Sequence, residues 1–354
     1  MKFAILNDTH CGVRNDNVQF HEYQRKFYED IFFPYLLEND IKHIVHLGDY
    51  FDKRTGINFL SLQKNKEHFI DHLVKYDISM DLILGNHDLY YKNTSEVNSP
   101  QSLLEGKAKI EIYGDIITKD YDGLLITLVP WIHRNNIEET VEHIELTKGQ
   151  VAMGHLEIEG AMMMPGYYSS HGMNLDTFKR FEQVYSGHFH TKSEMGNLRY
   201  LGAQMQFTWN DFGDIKSFHI YNTDDRSIFP VVNPITMFEK VFYDDSKWAL
   251  EDIQGMEFSD LTDKFVKVIV QSKDQPYWFD MYIDKITKAN PIDLKIVEDH
   301  GNIDLLNDDE ALADAEDTLT ILTKHIDQME ISGDKTKLDT LMRSLYTEAL
   351  DTSF

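Results

Sequence analysis

The chain has 354 residues, of which 34 are Lys or Arg and 60 are Asp or Glu, for a formal charge of −26. That length exceeds what one hydrophobic core commonly organises, so two domains and a tail are expected, and 42% hydrophobic residues exclude disorder of the whole chain. Taken alone, the acidic balance argues against a partner held through phosphates, which calls for a basic footprint.

A single cysteine, Cys11, has no intramolecular partner, and a reducing cytosol is the expected compartment. The apolar start Phe3-Ala4-Ile5-Leu6 turns polar at Asn7, too short for a signal-peptide core, and no later run approaches a membrane span. A soluble, cytoplasmic protein is expected.

In chain order, short apolar runs ending in Gly, Asp, Asn or His predict buried strands at Phe3–Leu6, Ile41–Leu47, Met80–Leu84, Leu124–Val129, Gln150–Met153 and Gln183–Tyr185. Helical spacing separates the early ones: Phe20, Tyr23, Phe27 and Ile31 before the second, and Leu62, Phe69 and Leu73 before the third. The pattern is a layered α/β core, whose ligands belong in the loops at the carboxyl ends of the strands. Tighter turns follow from about residue 190, with strands at Arg199–Leu201 and Ser217–Tyr221. A first domain is expected over 1–230, with Pro230 and Pro234 bracketing a linker. A smaller unit is expected over 235–297, with a strand at Phe265–Val270 and a helix at Tyr277–Lys288. From Glu298 to Asp317 there are nine acidic residues and no Lys or Arg, a solvated linker running into a helix. Two apolar stripes then predict a helical hairpin: Leu312, Leu319, Leu322, Ile326 and Met329, and, after Ser332-Gly333, Leu338, Leu341, Met342 and Leu345.

Five motifs directly follow predicted strands: Asp8-Thr9-His10, Gly48-Asp49-Tyr50-Phe51-Asp52, Gly85-Asn86-His87-Asp88, Gly154-His155 and Gly187-His188-Phe189-His190. Carboxylates with imidazoles suit borderline divalent ions such as manganese, iron or zinc better than calcium, which prefers an all-oxygen shell. In Asp-x-His and His-x-His, alternate residues of an extended segment point the same way and reach one centre. Singly these motifs are weak; five in one chain, each after a strand, point to a metal site. His133, His171, His219, His300 and His325 stand outside the motifs and read as surface or hydrogen-bonded histidines.

In this order the motifs resemble the calcineurin-like metallophosphoesterases. Asp8-Thr9-His10-Cys11-Gly12-Val13, the run from Gly85 to Asn93, Val129-Pro130-Trp131 and the run from Ser186 to Thr191 are similar, more narrowly, to the nuclease subunits of SbcCD-type recombination complexes, particularly those of T-even-type phages. The resemblance implies an αββα sandwich, a small α/β capping domain that selects DNA, and a C-terminal hairpin that binds a coiled-coil ABC-type ATPase. By it, Asp8, His10, Asp49 and His190 hold one ion and Asp49, Asn86, His155 and His188 the other, with manganese expected and magnesium the alternative. It makes His87 the residue that contacts the phosphate and assists the leaving oxygen, with Asp88 orienting and charging it. Asp52 is placed behind the ligands rather than among them.

The activities so implied are 3′ to 5′ exonuclease on duplex ends and endonuclease on single strands, by a homodimer joined through the nuclease domain. Lys53, Arg54, Lys92, Lys192 and Arg199, near motif ends, are candidate contacts to DNA phosphates. Cys11 alternates away from the ligands and reads as packing. The Met-rich run Ala161 to Tyr168 is expected to pack against the second domain rather than to stack on bases. Two other readings stay open: a phosphatase or phosphodiesterase acting on small or protein phosphoesters, and a non-catalytic scaffold for DNA ends or the ATPase.

Overall fold

A computed structural model describes residues 1–298 together with Lys335, Lys337, Leu338, Leu341 and Met342. Those five are helical, and the rest of the predicted hairpin, with the acidic linker after Glu298, lies outside the described residues.

The strands in chain order are β1 (Lys2–Leu6), β2 (His43–His46), β3 (Ser79–Ile83), β4 (Ile110–Tyr113), β5 (Ile117–Tyr121), β6 (Leu124–Val129), β7 (Val151–Gly154), β8 (Met162–Met164), β9 (Tyr167–Tyr168), β10 (Gln183–Ser186), β11 (Ser193–Met195), β12 (Leu198–Tyr200), β13 (Ser217–Asn222), β14 (Ser227–Val232), β15 (Phe238–Asp244), β16 (Phe265–Ser272) and β17 (Asp293–Glu298). They form two six-stranded sheets, ordered β14-β13-β1-β2-β3-β4 and β11-β12-β10-β7-β6-β5. β1 to β4 run parallel, and β13 joins β1 antiparallel with Ile5 opposite His219.

Alternation along the strands builds the layers. Phe3, Ile5, Val45 and Ile83 of the first sheet face Ile126, Leu128, Val151, Met153 and Tyr185 of the second in a core between them. Ala4, Leu6, Ile44, Met80 and Leu82 point the other way, onto Phe27, Phe32, Phe33, Leu36, Phe69 and Leu73 from the helical segments 18–38 and 59–76. On the outer face of the second sheet, Ala152 and Val184 meet Ile144 of the helix Ile137–Leu146 and Phe178. The architecture is a mixed α/β sandwich with helices on both faces, as the resemblance implies.

The two long helical segments start at Asn17 and Asn58, whose side chains accept from the amides of Gln19 and Leu60 at 2.9 and 2.8 Å. Each widens mid-way into a π turn, Phe27–Phe32 and Lys66–Ile70. The first of these precedes Pro34, which has no N–H to return to the preceding turn.

Two features depart from the sequence reading. Pro230 does not begin a linker: it lies in β14, opposite His219, at the edge of the first sheet, where a missing N–H costs no ladder bond. The Met-rich run forms the hairpin β8–β9, and Ala161 and Met163 join the core on the outer face of the second sheet instead of meeting residues after 235.

Beyond Pro234, β15, β16 and β17 form a parallel three-stranded sheet whose core includes Tyr243, Val268, Phe279, Tyr282 and Ile286, the last three from the helix Pro276–Lys288. It abuts the sandwich where Phe20 meets Phe265 and Phe238, at ring separations of 5.9 and 6.4 Å.

Candidate metal centre

Every motif residue sits in a loop at the carboxyl end of a strand: Asp8 and His10 after β1, Asp49 and Asp52 after β2, Asn86 to Asp88 after β3, His155 after β7, and His188 and His190 after β10. Both sheets therefore open onto one edge of the sandwich. Main-chain bonds knit the loops, with the Asp8 amide donating to the Gly48 carbonyl at 3.0 Å and the His10 amide to the Asp49 carbonyl at 3.1 Å. Asp8, His10, Asp49 and His188 take positive φ (50°, 43°, 54° and 85°), a conformation costly for non-glycine residues and retained where surrounding structure enforces it. At Gly85 a Cβ would lie 2.1 Å from Asp49 Oδ1, so no side chain fits where these loops cross.

The side chains converge in two groups, Asp8 with His10 and His190, and Asp49 with His155 and His188; within each, the ligating atoms lie within 4.8 Å of one another. His10 Nε2 and His190 Nε2 are 3.0 Å apart, and His155 Nε2 is 2.9 Å from Asn86 Oδ1 and 3.2 Å from Asp49 Oδ2. Ligands about 2.1 Å from an ion and at right angles to each other are separated by about 3.0 Å, so these distances suit adjacent corners of a coordination shell. The same Asp49 oxygen is 3.9 Å from His10 Nε2, which places it between the groups. The residues present fit two divalent cations.

The electrostatics agree with a site built for positive charge. Asp49 is held well below the usual carboxylate range: burial opposes its ionisation, but His155 and His87 outweigh it. Burial raises the pKa of Asp8, and Asp49 adds to that rise against the larger opposing pull of His155. His155 loses basicity to burial and regains more from Asp49, ending at about 9. His10 is likewise raised, burial being outweighed by Asp52 and Asp49, whereas burial and His10 push His190 down to about 3. A proton on His155 thus offsets buried carboxylates where cations would otherwise do so.

Around the ligands, His155 Nδ1 faces the Leu47 carbonyl at 2.7 Å, which leaves Nε2 for a metal. Asp52 Oδ1 lies 3.3 Å from His10 Nδ1, the ring nitrogen on the side away from His190. The His87 amide donates to Asp49 Oδ1 at 2.9 Å, while its ring Nδ1 meets the Asp52 main-chain carbonyl. Asp88 is pushed up to about 6 by burial and Asp49, and its oxygens accept the amides of Gly85, Tyr50 and Phe51 at 2.9, 3.0 and 3.2 Å. It ties the loop after β2 to the loop after β3.

Among the basic candidates, Lys53 reaches Asp16 at 3.5 Å, Lys192 donates to the Ile215 carbonyl at 2.9 Å and Arg199 pairs with Glu194 at 3.2 Å, while Lys92 is exposed and Arg54 half-buried. Cys11 is buried and its thiol pushed up, chiefly by burial, which suits packing. Trp131 stands 5.1 Å from the ring of His188 and 6.0 Å from that of His155. Phe207 lies edge-on to both His10 and His190 at 5.5 Å. No sequence signal pointed to Phe207, which sits in an irregular stretch after β12; the run of buried glutamines beside it, Gln204 and Gln206, was the available hint.

The model of the calcineurin-like phosphoesterases matches residues 1–192. Exonuclease subunit 1 of Enterobacteria phage T4 is 29% identical over 353 residues, which is 99% of each chain. Among solved structures, an archaeal phosphodiesterase covers 66% of this chain and 100% of its own at 12% identity, with a TM-score of 0.35 that carries no argument. Among the described residues, no helix is long and apolar enough to cross a membrane. With the family match extending over more than half of the sequence and ending just past His190, the last motif residue, the chain belongs to the calcineurin-like phosphoesterases, a family of metal-dependent hydrolases.

Proposed function

We propose that the chain is the nuclease subunit of a DNA end-processing complex, with residues 1–230 hydrolysing phosphodiesters, 235–297 capping the site and selecting DNA, and 298–354 binding a coiled-coil ABC-type ATPase. One observation supports the nuclease reading: the resemblance to a phage exonuclease subunit runs over 99% of both chains, and two groups of residues able to hold metal ions converge at one edge.

When bound, two divalent cations, manganese in this reading, neutralise charge on the phosphate and acidify a water to near neutral pH. The chain's own residues do the rest. Asp8, His10 and His190 would hold one cation and Asn86, His155 and His188 the other, with Asp49 between the two groups. With Nδ1 directed at a carbonyl, His87 would use its other ring nitrogen, Nε2, to carry the proton delivered to the departing oxygen. The Asp49 bond to the His87 amide holds that imidazole beside the metal groups. Lys53, Arg54, Lys92, Lys192 and Arg199 remain the candidate phosphate contacts.

Exposed Val18, Phe59 and Leu60 support a homodimer, because they begin the two long helical segments that Asp16 pins together through the Asn58 amide and the Ser61 hydroxyl, at 3.1 and 2.6 Å.

Linear duplex and single-stranded circles, each with manganese or magnesium and with or without the ATPase, test the reading. DNA cleavage by the wild type, lost in His87→Ala with DNA binding intact, is expected. Release of phosphate from nucleotides or phosphopeptides without DNA cleavage would replace it with the phosphatase reading. Truncation after residue 300 is expected to abolish co-purification with the ATPase and spare nuclease activity.

A further inference from the structure

The three residues of the first ligand group, Asp8, His10 and His190, share a support that lies outside all five motifs. The stretch from Gly202 to Lys216 passes behind each of them. Asn7 Nδ2 bridges Asp8 Oδ2 and the Gly202 carbonyl at 2.5 and 2.9 Å, and Gln204 Nε2 reaches the Asp8 carbonyl at 3.4 Å. Phe207 stands edge-on against His10 and His190, with its carbonyl accepting from Arg14 Nε at 3.0 Å. The His190 carbonyl accepts twice, from the Ala203 amide at 3.1 Å and from Lys216 Nζ at 2.8 Å.

Lys216 is the least ordinary member. Its side chain is 2% exposed, yet it carries a charge satisfied by Asp211 at 2.5 Å and Asp214 at 2.9 Å. Asp211 is buried too, and its other oxygen accepts the amides of Phe207 and Thr208 at 2.8 and 2.9 Å. Gln206 completes the frame, donating to the Asp211 carbonyl at 2.9 Å and accepting the amides of Met237 and Phe238 at 2.7 and 3.1 Å. A buried ion pair gains little net stability, because desolvation offsets the attraction, but it fixes geometry. The second ligand group is held mainly by loops of the first sheet, Asp49 by the His87 amide and His155 by the Leu47 carbonyl, and it touches the first group where the His188 amide donates to both Asp8 carboxylate oxygens at 3.1 Å.

We propose that residues 202–216 form a positioning frame for the Asp8–His10–His190 metal position alone, with Lys216 and Asp211 as its anchor and Gln206 joining it to β15. The Asp8–His10–His190 position is therefore expected to respond more strongly than the other to changes in this frame. The proposal rests on the two-metal reading, but its test does not require that DNA be the substrate.

The test is a manganese titration of the full chain, read by calorimetry and by the electron paramagnetic resonance of free manganese. The variants are the isosteric pair Lys216→Met with Asp211→Asn, and, separately, Phe207→Leu, which preserves the frame's folding if the pair does not. Loss of an outer partner of a ligand weakens metal binding by about 10- to 100-fold. One ion is expected to weaken at least about 10-fold in each variant while the other stays within about twofold. The ion that remains is expected to be the one eliminated by a further His155→Ala. Equal weakening of both ions, or of neither, overturns the frame; a wild type that binds fewer than two ions overturns the two-metal reading itself.

Discussion

Gly85→Ala isolates what the loop crossing contributes. The added methyl would stand 2.1 Å from Asp49 Oδ1 and 2.3 Å from the Asp49 amide nitrogen, well inside the 3.0 Å that real Cβ contacts respect. Gly85 has no positive φ, so the substitution introduces a clash without a backbone penalty. Relief requires Asp49 or the loop after β3 to move by roughly 1 Å, a misplacement worth about 100-fold in rate, or about 2.7 kcal/mol of barrier. Overpacking adds a stability loss of about 1–3 kcal/mol. Because Asp49 lies between the ligand groups, both ions are expected to weaken together, the opposite of the selective loss expected from Lys216 and Asp211. The assay is kcat for phosphodiester hydrolysis at saturating manganese, beside the same titration. Gly56→Ala, where a Cβ meets nothing within 4 Å, is the control and is expected to be silent. A Gly85→Ala enzyme within threefold of wild type, with both ions bound normally, would refute the steric argument.

Three further outcomes follow from the site and its supports. Metal loading is expected to release protons at pH 7.5, because His155 titrates at about 9; affinity should climb with pH until that proton is gone, and identical heats in buffers of different ionisation enthalpy would show that none leaves. Asp52→Ala keeps the carbonyl that faces His87 but removes the carboxylate 3.3 Å from His10, so manganese affinity is expected to drop about 10- to 100-fold with kcat at saturation little changed; a lost kcat at full loading would give Asp52 a direct chemical role. Asp81 is buried, which opposes its charge, yet His43, Lys119 and Tyr121 hold its pKa below the ordinary value. Its contribution is therefore present above about pH 4, the unfolded value, and is lost as pH falls through the folded one. Asp81→Asn is expected to cost about 1.5–3 kcal/mol at pH 7, with the gap closing in urea titrations toward pH 3; a gap independent of pH would contradict the charge argument.

The central strands were legible because they are buried on both faces and read as unbroken apolar runs: Leu124–Val129 has the predicted bounds, and the other five predicted core strands lie within two residues of the observed ones at each end. The edge strands were not. In β5 the run Ile117-Thr118-Lys119-Asp120-Tyr121 is polar and half-buried, because Lys119 reaches across to Asp81, and β14 hides behind Pro230. The ligand set was readable for a related reason, since each motif closes such a strand. The frame behind it was not, because Lys216 and Asp211 look like ordinary surface charges until folding buries them together. The amides that the Asp88 oxygens meet were not legible either, because they come from a loop 37 and 38 residues away as well as from its own.

The place of β1 in its sheet also bears on how the protein is made. β1 is flanked by β2 on one side and β13 on the other, and Ile5 pairs with His219. At a synthesis rate of about 5–20 residues per second, β13 follows β1 from the ribosome by roughly 10–40 s. Throughout that interval one side of the N-terminal strand has no ladder to complete, and the stretch carrying Lys216 does not yet exist. The nascent chain can fold its helices against β2 and β3 long before Asp8, His10 and His190 can be gathered. Hydrolytic competence therefore arrives late in translation, after the scaffold that confines it.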